Sequence, residues 1–170
     1  MNADDIIRRM AGLSNDRSVF EGHWREIAEL IRPTANQFQR TNVQGQKQTE
    51  KIFDATAALA LERFGAAMES MLTPRTQTWH KLRPLDEALT RDKAVMAWCD
   101  DVTRVLFSVR YSPKANFASQ AHECYMDVGA FGSTGMFIED VPGVMIRYKS
   151  LPLAQLYFVE NYTGQVDTVF

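Results

Sequence analysis

Apolar residues recur at helical spacing through residues 1–131 and predict about five helices. Helix one is expected from Ala3 to Ser14, with Asn2 as its N-cap. Helix two is expected from Asp16 to Ile31, because apolar side chains recur at i, i+4, i+7 and i+11 (Phe20, Trp24, Ile27 and Ile31). Arg32-Pro33 then ends it, since the residue before a proline avoids the helical conformation.

The third helix is the most apolar and is expected to be central to the fold. Asp54 is its predicted cap, and Thr73-Pro74 ends it because proline lacks a backbone donor. Large apolar residues fall close to helical spacing (Leu59, Phe64, Met68, Met71 and Leu72), and alanines fill much of the remainder. Few charges interrupt it, so most of its circumference is expected to face protein.

Two further helices complete the helical part. The fourth is predicted from Arg91 to Tyr111, with Thr90 as its cap and a buried face of Val95, Trp98, Val102, Val105, Leu106 and Val109. The fifth is predicted from Phe117 to Val128, capped by Asn116. Its inward residues are Ala121, Cys124, Tyr125 and Val128, and Gly129 and Gly132 mark its end.

From Gly132 the period changes from helical to extended. Val141-Pro142-Gly143 fits a type II turn. Beyond it a half-buried strand is predicted, because Val144, Ile146 and Tyr148 alternate with Met145, Arg147 and Lys149. Further strands are predicted at Leu156–Val159 and around Val166, Thr168 and Phe170. The fold class is therefore α+β, with a helical part at 1–131 and the start of an antiparallel sheet at 132–170. The ending in mid-strand is expected of a segment of something longer.

Residues 33–50 are rich in Gln, Thr and Asn, with Phe38 and Val43 as isolated apolar positions. Such a stretch buries too little to order itself, which predicts a long exposed arm. It could become ordered against a neighbouring subunit or remain a solvated loop.

Composition and charge exclude several classes of protein. Of 170 residues, 45% are hydrophobic and 24% charged, which is average for a globular protein. The formal net charge is −2, whereas a tight DNA binder has a clustered excess of basic residues. No stretch resembles a membrane span or a secretory signal, so maturation in a cytoplasm is expected. Cys99 and Cys124 lack a C-x-x-C spacing and are expected to be reduced core thiols.

The candidate chemistry is weak. The glycines at 129, 132 and 135, with Ser133 and Thr134, lack the Lys and the strand-to-helix order of a phosphate loop. His122 and Cys124 lie on different helix faces, which argues against a shared metal. No catalytic residue, cofactor site or metal site is therefore assigned. An enzyme is the least supported class, while a helical adaptor without catalysis and a self-assembling structural protein both stay open.

Several stretches in order resemble one family. They are F-E-G-H-W-R-E-I-A-E-L-I-R-P (20–33), I-F-D-A-T-A (52–57), S-M-L-T-P with a Trp at 79 (70–79), A-W-C-D-D-V (97–102), S-P-K-A-N-F (112–117), G-A-F-G-S-T-G-M-F-I-E (129–139), L-P-L-A-Q (151–155) and G-Q-V-D-T-V-F (164–170). Together they resemble the N-terminal portion of the head-to-tail connector (portal) proteins of short-tailed bacteriophages. The signature positions are Trp24, Pro33, Phe53, Asp54, Pro74, Trp79, Gly132 and Gly135.

The resemblance implies a non-catalytic portal subunit, with this segment in the wing region. It implies a homo-oligomeric ring, a dodecamer, at one capsid vertex of the virion, assembled in the host cytoplasm. Capsid and scaffolding proteins, a packaging terminase and tail adaptor proteins are the implied partners. Double-stranded DNA would pass through the channel without sequence-specific binding, and no membrane is involved.

Two regions are predicted to contact neighbouring subunits. Small residues on the third helix allow close approach, and the polar arm is long for its domain. The candidate interface residues are Ala58, Phe64, Ala66, Ala67, Met71 and Phe38.

Overall fold

The computed structural model describes residues 2–33, 38 and 52–170. Its α-helices are α1 (Ala3–Ile31), α2 (Thr56–Leu72), α3 (Lys93–Arg110) and α4 (Phe117–Phe131). The strands that follow are β1 (Gly135–Val141), β2 (Met145–Leu151), β3 (Phe158–Glu160) and β4 (Val166–Val169). Short 3₁₀ turns occur at Leu89–Arg91 and Leu153–Gln155. The α+β class is thus confirmed.

The described part of the chain contains four α-helices rather than about five, because the first two predicted helices are one. Asn2 caps α1 as predicted: its side chain accepts from Ala3 N at 2.8 Å, and Asp5 completes a capping box. The break expected at Ser14 to Asp16 was wrong. These residue types favour caps, but each keeps a backbone N–H and tolerates helical dihedrals, so the helical hydrogen bonds continue past them.

The predicted caps and ends of the later helices need two corrections. Asp92, and not Thr90, caps α3, since its carboxylate accepts from Ala94 N at 2.8 Å while Thr90 lies in the preceding 3₁₀ turn. Gly129 does not end the last helix but lies inside α4. Gly132 does end it, with φ +79° and its N–H bonded to Val128 O at 2.9 Å.

The strands pair as two hairpins. β1 and β2 form one two-stranded sheet, whose turn has Gly143 at φ +80°, as the Pro-Gly pair predicts. β3 and β4 form an antiparallel pair with Phe158 opposite Val169 and Val159 opposite Thr168. A bulge between Val159 and Glu160 shifts the register at the end of the ladder.

The chain divides into two compact units. The first unit comprises Met1–Phe64, Met126–Gly135 and Leu151–Phe170, and it contains the β3–β4 hairpin. Its core cluster is Ala28, Phe38 and Leu153, against which Trp24 and Phe131 pack. Arg17 joins α1 to the 153–156 segment, because its guanidinium donates to Leu156 O at 2.8 Å and to Ala154 O at 2.9 Å.

The second unit comprises Gly65–Tyr125 and Met136–Ser150. Its core cluster is Ala115, Phe117, Ala121 and Tyr148. β2 is attached to the segment before α4 by the bond from Tyr148 N to Ala115 O at 3.0 Å. Ser150 N donates to Gln120 Oε1 at 2.7 Å, which fixes the same strand against α4.

The predicted buried face of α3 was partly wrong. Trp98 and Val105 are 64% and 55% exposed, whereas Cys99 and Thr103 are the buried residues of this helix. The helical period of the pattern was correct. Its phase was not, because a short threonine whose hydroxyl bonds back to Cys99 O at 2.7 Å can face the core in place of a large apolar side chain.

Candidate subunit interface

Helix α2 carries most of the predicted interface residues, and its ends form as the sequence predicts. The Asp54 carboxylate accepts from Thr56 N at 3.0 Å and from the Thr56 hydroxyl at 2.8 Å. The hydroxyl bond, with the backbone bond, lowers the pKa of Asp54 below its ordinary value. Pro74 follows directly after Thr73, whose N–H makes the last helical bond, to Glu69 O at 3.1 Å.

The surface of α2 is more apolar than that of an ordinary exposed helix. Of the part in the first unit, Leu61 is buried, Ala58 is half-buried, and Leu59 and Phe64 are exposed. Of the part in the second unit, Ala66, Ala67 and Met71 are exposed, Met71 by 77%. The predicted residues are therefore largely accessible in the single chain, and their role in subunit contacts stays a prediction.

Phe38 differs from the other candidates because it is only 9% exposed. Its ring centroid lies 5.8 Å from that of Trp24 and 5.4 Å from that of Phe131. Most of this side chain therefore packs within its own subunit. The rest of the predicted arm, at 34–37 and 39–50, lies outside the described residues, so the arm too stays a prediction.

The signature residues around Thr73 and Trp79 form a hydrogen-bonded bracket in the second unit. Trp79 Nε1 donates to the Tyr111 hydroxyl at 2.9 Å, and that hydroxyl donates to Thr73 O at 2.8 Å. The Thr73 hydroxyl lies 3.0 Å from the Tyr125 hydroxyl. The guanidinium of Arg110 lies 4.8 Å from the Trp79 ring centroid. The bracket holds the end of α2 to α3 and α4. The signature residues here therefore have a structural role.

The signature residues of the first unit have different surroundings. Trp24 is part of the core packing, Pro33 is buried, and Gly132 adopts the left-handed conformation at the end of α4. Gly135 lies against the Leu156 side chain so closely that a Cβ atom would overlap it. Phe53, by contrast, is exposed. Four of these five positions thus have a packing or backbone role, whereas the fold of the single chain does not explain Phe53.

A buried ion pair beside Pro33 was not predicted from the sequence. The Arg32 guanidinium pairs with the Asp127 carboxylate, and both side chains are almost fully buried. The partners are 95 residues apart, so no local spacing could have indicated the pair. Buried charges need partners, and this contact joins the end of α1 to α4 within the first unit.

The described residues contain no cluster of three or more His, Cys, Asp or Glu side chains that could hold a metal ion. Cys99 and Cys124 are buried free thiols, as predicted. His122 Nδ1 lies 3.2 Å from Glu69 Oε2. Burial of the imidazole, together with the neighbouring Arg110 cation, lowers the pKa of His80.

Within residues 2–33, 38 and 52–170, no helix is long and apolar enough to cross a membrane.

Comparison with known proteins gives consistent results along the chain. Residues 3–170 match the family model described as bacteriophage head to tail connecting protein. The "Portal protein" of Salmonella phage epsilon15 is 27% identical over 164 residues, which cover 96% of this chain and 29% of that relative. The "Probable portal protein" of Bordetella phage BPP-1 is 27% identical over 167 residues, covering 97% of this chain and 30% of that relative.

The chain spans less than a third of the length of either relative. The family match, however, extends over almost all of its own residues. Together with the order of the signature stretches, it leads to one assignment: this chain belongs to the bacteriophage head to tail connecting protein family.

Proposed function

We propose that this chain is part of a portal subunit of a tailed bacteriophage. The observation that carries the proposal is the family match over residues 3–170. In this role, identical subunits form a ring at one capsid vertex. DNA enters the head and later leaves it through the centre of the ring, and the tail attaches there.

The mechanism of such a protein is geometric. Each subunit presents two different surfaces, and each surface binds the complementary one on the next copy until the ring closes. The exposed apolar side chains of α2 and α3, among them Met71 and Trp98, support this role because exposed large apolar groups often mark interaction surfaces. The protein acts by assembly and contributes no catalytic residue.

The finer assignments belong to the same proposal. We expect a dodecameric ring whose partners are capsid and scaffolding proteins, the packaging terminase and tail adaptor proteins, with this segment in the wing. The formal net charge of −2 supports passage of DNA without sequence-specific binding, because tight binding requires clustered basic residues. The location is the virion, after assembly in the host cytoplasm.

The native mass of the full-length protein tests the proposal. Native mass spectrometry, with negative-stain microscopy of the same sample, is expected to show a closed ring of identical subunits. An ATP hydrolysis assay on the purified ring is expected to show no turnover. A monomer or dimer under conditions of capsid assembly would contradict the portal role and favour the adaptor alternative, and turnover would contradict the absence of catalysis.

A further inference from the structure

One face of α3 is exposed along its length in the second unit. Ala94, Trp98, Asp101 and Val105 recur at i, i+4, i+7 and i+11, and all four are exposed. Trp98 is the largest of them, and its indole N–H has no hydrogen-bond partner among the described residues. Tryptophan is enriched among the residues that contribute most to binding at protein interfaces. This face therefore exposes a large apolar side chain, Trp98, whose indole N–H is available to donate a hydrogen bond.

The first unit contains an apolar groove of about 280 Å³. One wall is formed by α1 through Leu13, Phe20 and Trp24, and the other by Leu156 and Phe158. Phe20 stacks on Trp24 with ring centroids 5.8 Å apart. The groove thus has the aromatic lining and the concave shape that receive a planar apolar side chain.

Arg17 links the two walls of the groove. Its guanidinium donates to Leu156 O and Ala154 O and lies 3.9 Å from the Tyr157 ring centroid. It also pairs with Glu21 at 2.9 Å. With these contacts the arginine is fully occupied within its own subunit, so it fixes the spacing of the two walls. A groove that is already formed loses little conformational entropy when it is filled.

Asp16 is the groove's remaining charged residue, and its carboxylate has no partner among the described side chains. A buried indole N–H needs an acceptor, and a carboxylate makes the stronger, charge-assisted hydrogen bond. The exposed Trp98 has the unused donor, and the groove has the unused acceptor beside an apolar lining. The two surfaces therefore match in apolar character and in their hydrogen-bonding groups.

We propose that Trp98 of one copy inserts into the α1 groove of the next copy, with its indole N–H donating to Asp16. The proposal rests on the portal function and names a contact that builds the ring. A second copy is the occupant because both complementary surfaces belong to one chain. Two different surfaces that bind each other between copies form a heterologous interface, which can repeat until a ring closes.

Assembly of the full-length protein tests this contact in two ways. Trp98→Ala is expected to raise the protein concentration needed for half-assembly by at least about tenfold. Trp98→Phe and Asp16→Leu each remove the hydrogen bond but leave the groove filled, so smaller losses are expected, and combining them should add little. Val19→Ala is the control, because Val19 is exposed on α1 but does not line the groove.

The second test places a benzophenone amino acid at position 98 and irradiates the assembled ring. Cross-linked dimers on a denaturing gel are expected, with the cross-link mapped by mass spectrometry to residues 13–24 or 153–158 of another copy. Circular dichroism of each variant checks that the subunit is folded, which an exposed side chain should hardly affect.

The outcomes separate this contact from the portal function. A wild-type protein that stays monomeric overturns both. A wild-type ring combined with normal assembly of Trp98→Ala overturns the contact alone. Cross-links to other segments of the neighbouring copy, or to a different protein, also overturn the contact while leaving the ring in place.

Discussion

The indole of Trp79 and the phenol of Tyr111 are joined by a hydrogen bond of 2.9 Å, and the same phenol donates to Thr73 O. Trp79 and Pro74 are prominent in the sequence, yet Tyr111, which links Trp79 to Thr73, belongs to no signature stretch. The link explains why a tryptophan follows the M-L-T-P stretch. It holds the chain leaving α2 against the C-terminal end of α3.

Tyr111→Phe is expected to destabilise the second unit by about 0.5–1.5 kcal/mol, because it removes the hydrogen bonds to Trp79 N–H and Thr73 O at a partly exposed site where water can replace the hydroxyl. The aromatic ring and its contacts with Phe107 and Phe117 are retained. Thermal unfolding followed by circular dichroism measures the change. Tyr162→Phe serves as the control, since Tyr162 is fully exposed, and an equal loss there would contradict the role of the bracket.

Replacing a helical glycine of the first unit by alanine should have opposite effects on stability at Gly22 and at Gly129. A Cβ at Gly22 meets no atom within 4 Å, so Gly22→Ala should stabilise the unit by about 0.5–1 kcal/mol. A Cβ at Gly129 would lie 2.7 Å from Leu61 Cδ1 and 2.8 Å from Phe64 Cδ1. Overpacking of this kind typically costs about 1–3 kcal/mol, which exceeds or offsets the gain in helix propensity. Urea unfolding compares them, and equal stabilisation of both variants would show that α2 and α4 do not need the glycine.

The buried pair of Arg32 and Asp127 predicts a non-additive double-mutant cycle. Asp127→Leu and Arg32→Met are each expected to cost about 3–5 kcal/mol, because each leaves the opposite charge of the pair buried without this partner. Arg32→Met with Asp127→Leu should cost less than either single change, since two apolar side chains of similar volume can replace a buried pair. Urea unfolding of the four proteins measures the coupling. Additive losses would contradict the pairing.

The stability of the second unit should depend on pH through His80. Burial and the Arg110 cation, 3.2 Å from His80 Nδ1, lower the pKa of His80 below the ordinary value of 6.5. The unfolded chain therefore binds a proton more readily than the folded one. The free energy of unfolding should fall as the pH drops below 6.5 toward the folded pKa. His80→Gln should remove this part of the slope in thermal unfolding, whereas His23→Gln should retain it.

Ala67→Phe tests the interface predicted on α2. A phenylalanine on an exposed helix position should change the stability of the single subunit by less than about 0.5 kcal/mol. It should nevertheless block close approach of a neighbouring subunit and reduce the yield of rings in native mass spectrometry. Ala11→Phe, at an exposed position of α1, is the matched control. Normal ring yield with Ala67→Phe would remove this part of α2 from the interface.

Local patterns were sufficient for much of the secondary structure. Asn2, Asp54, Pro74 and Gly132 act at helix ends as predicted, because caps and breakers work through the residue's own dihedrals and hydrogen bonds. The same reasoning placed a break inside α1 that does not exist. Capping residues permit a helix to end, but only the surrounding structure decides whether it does.

The sequence by itself determined the class of the fold, the helix periods and the family. Each of these depends only on the local spacing of residues or on the order of short stretches along the chain. Tertiary structure alone decided which face of α3 turns outward, which partner neutralises Arg32, and that Phe38 packs into a core. These outcomes depend on side chains brought together from distant parts of the chain. Their energies come from burial and pairing, which no local pattern specifies.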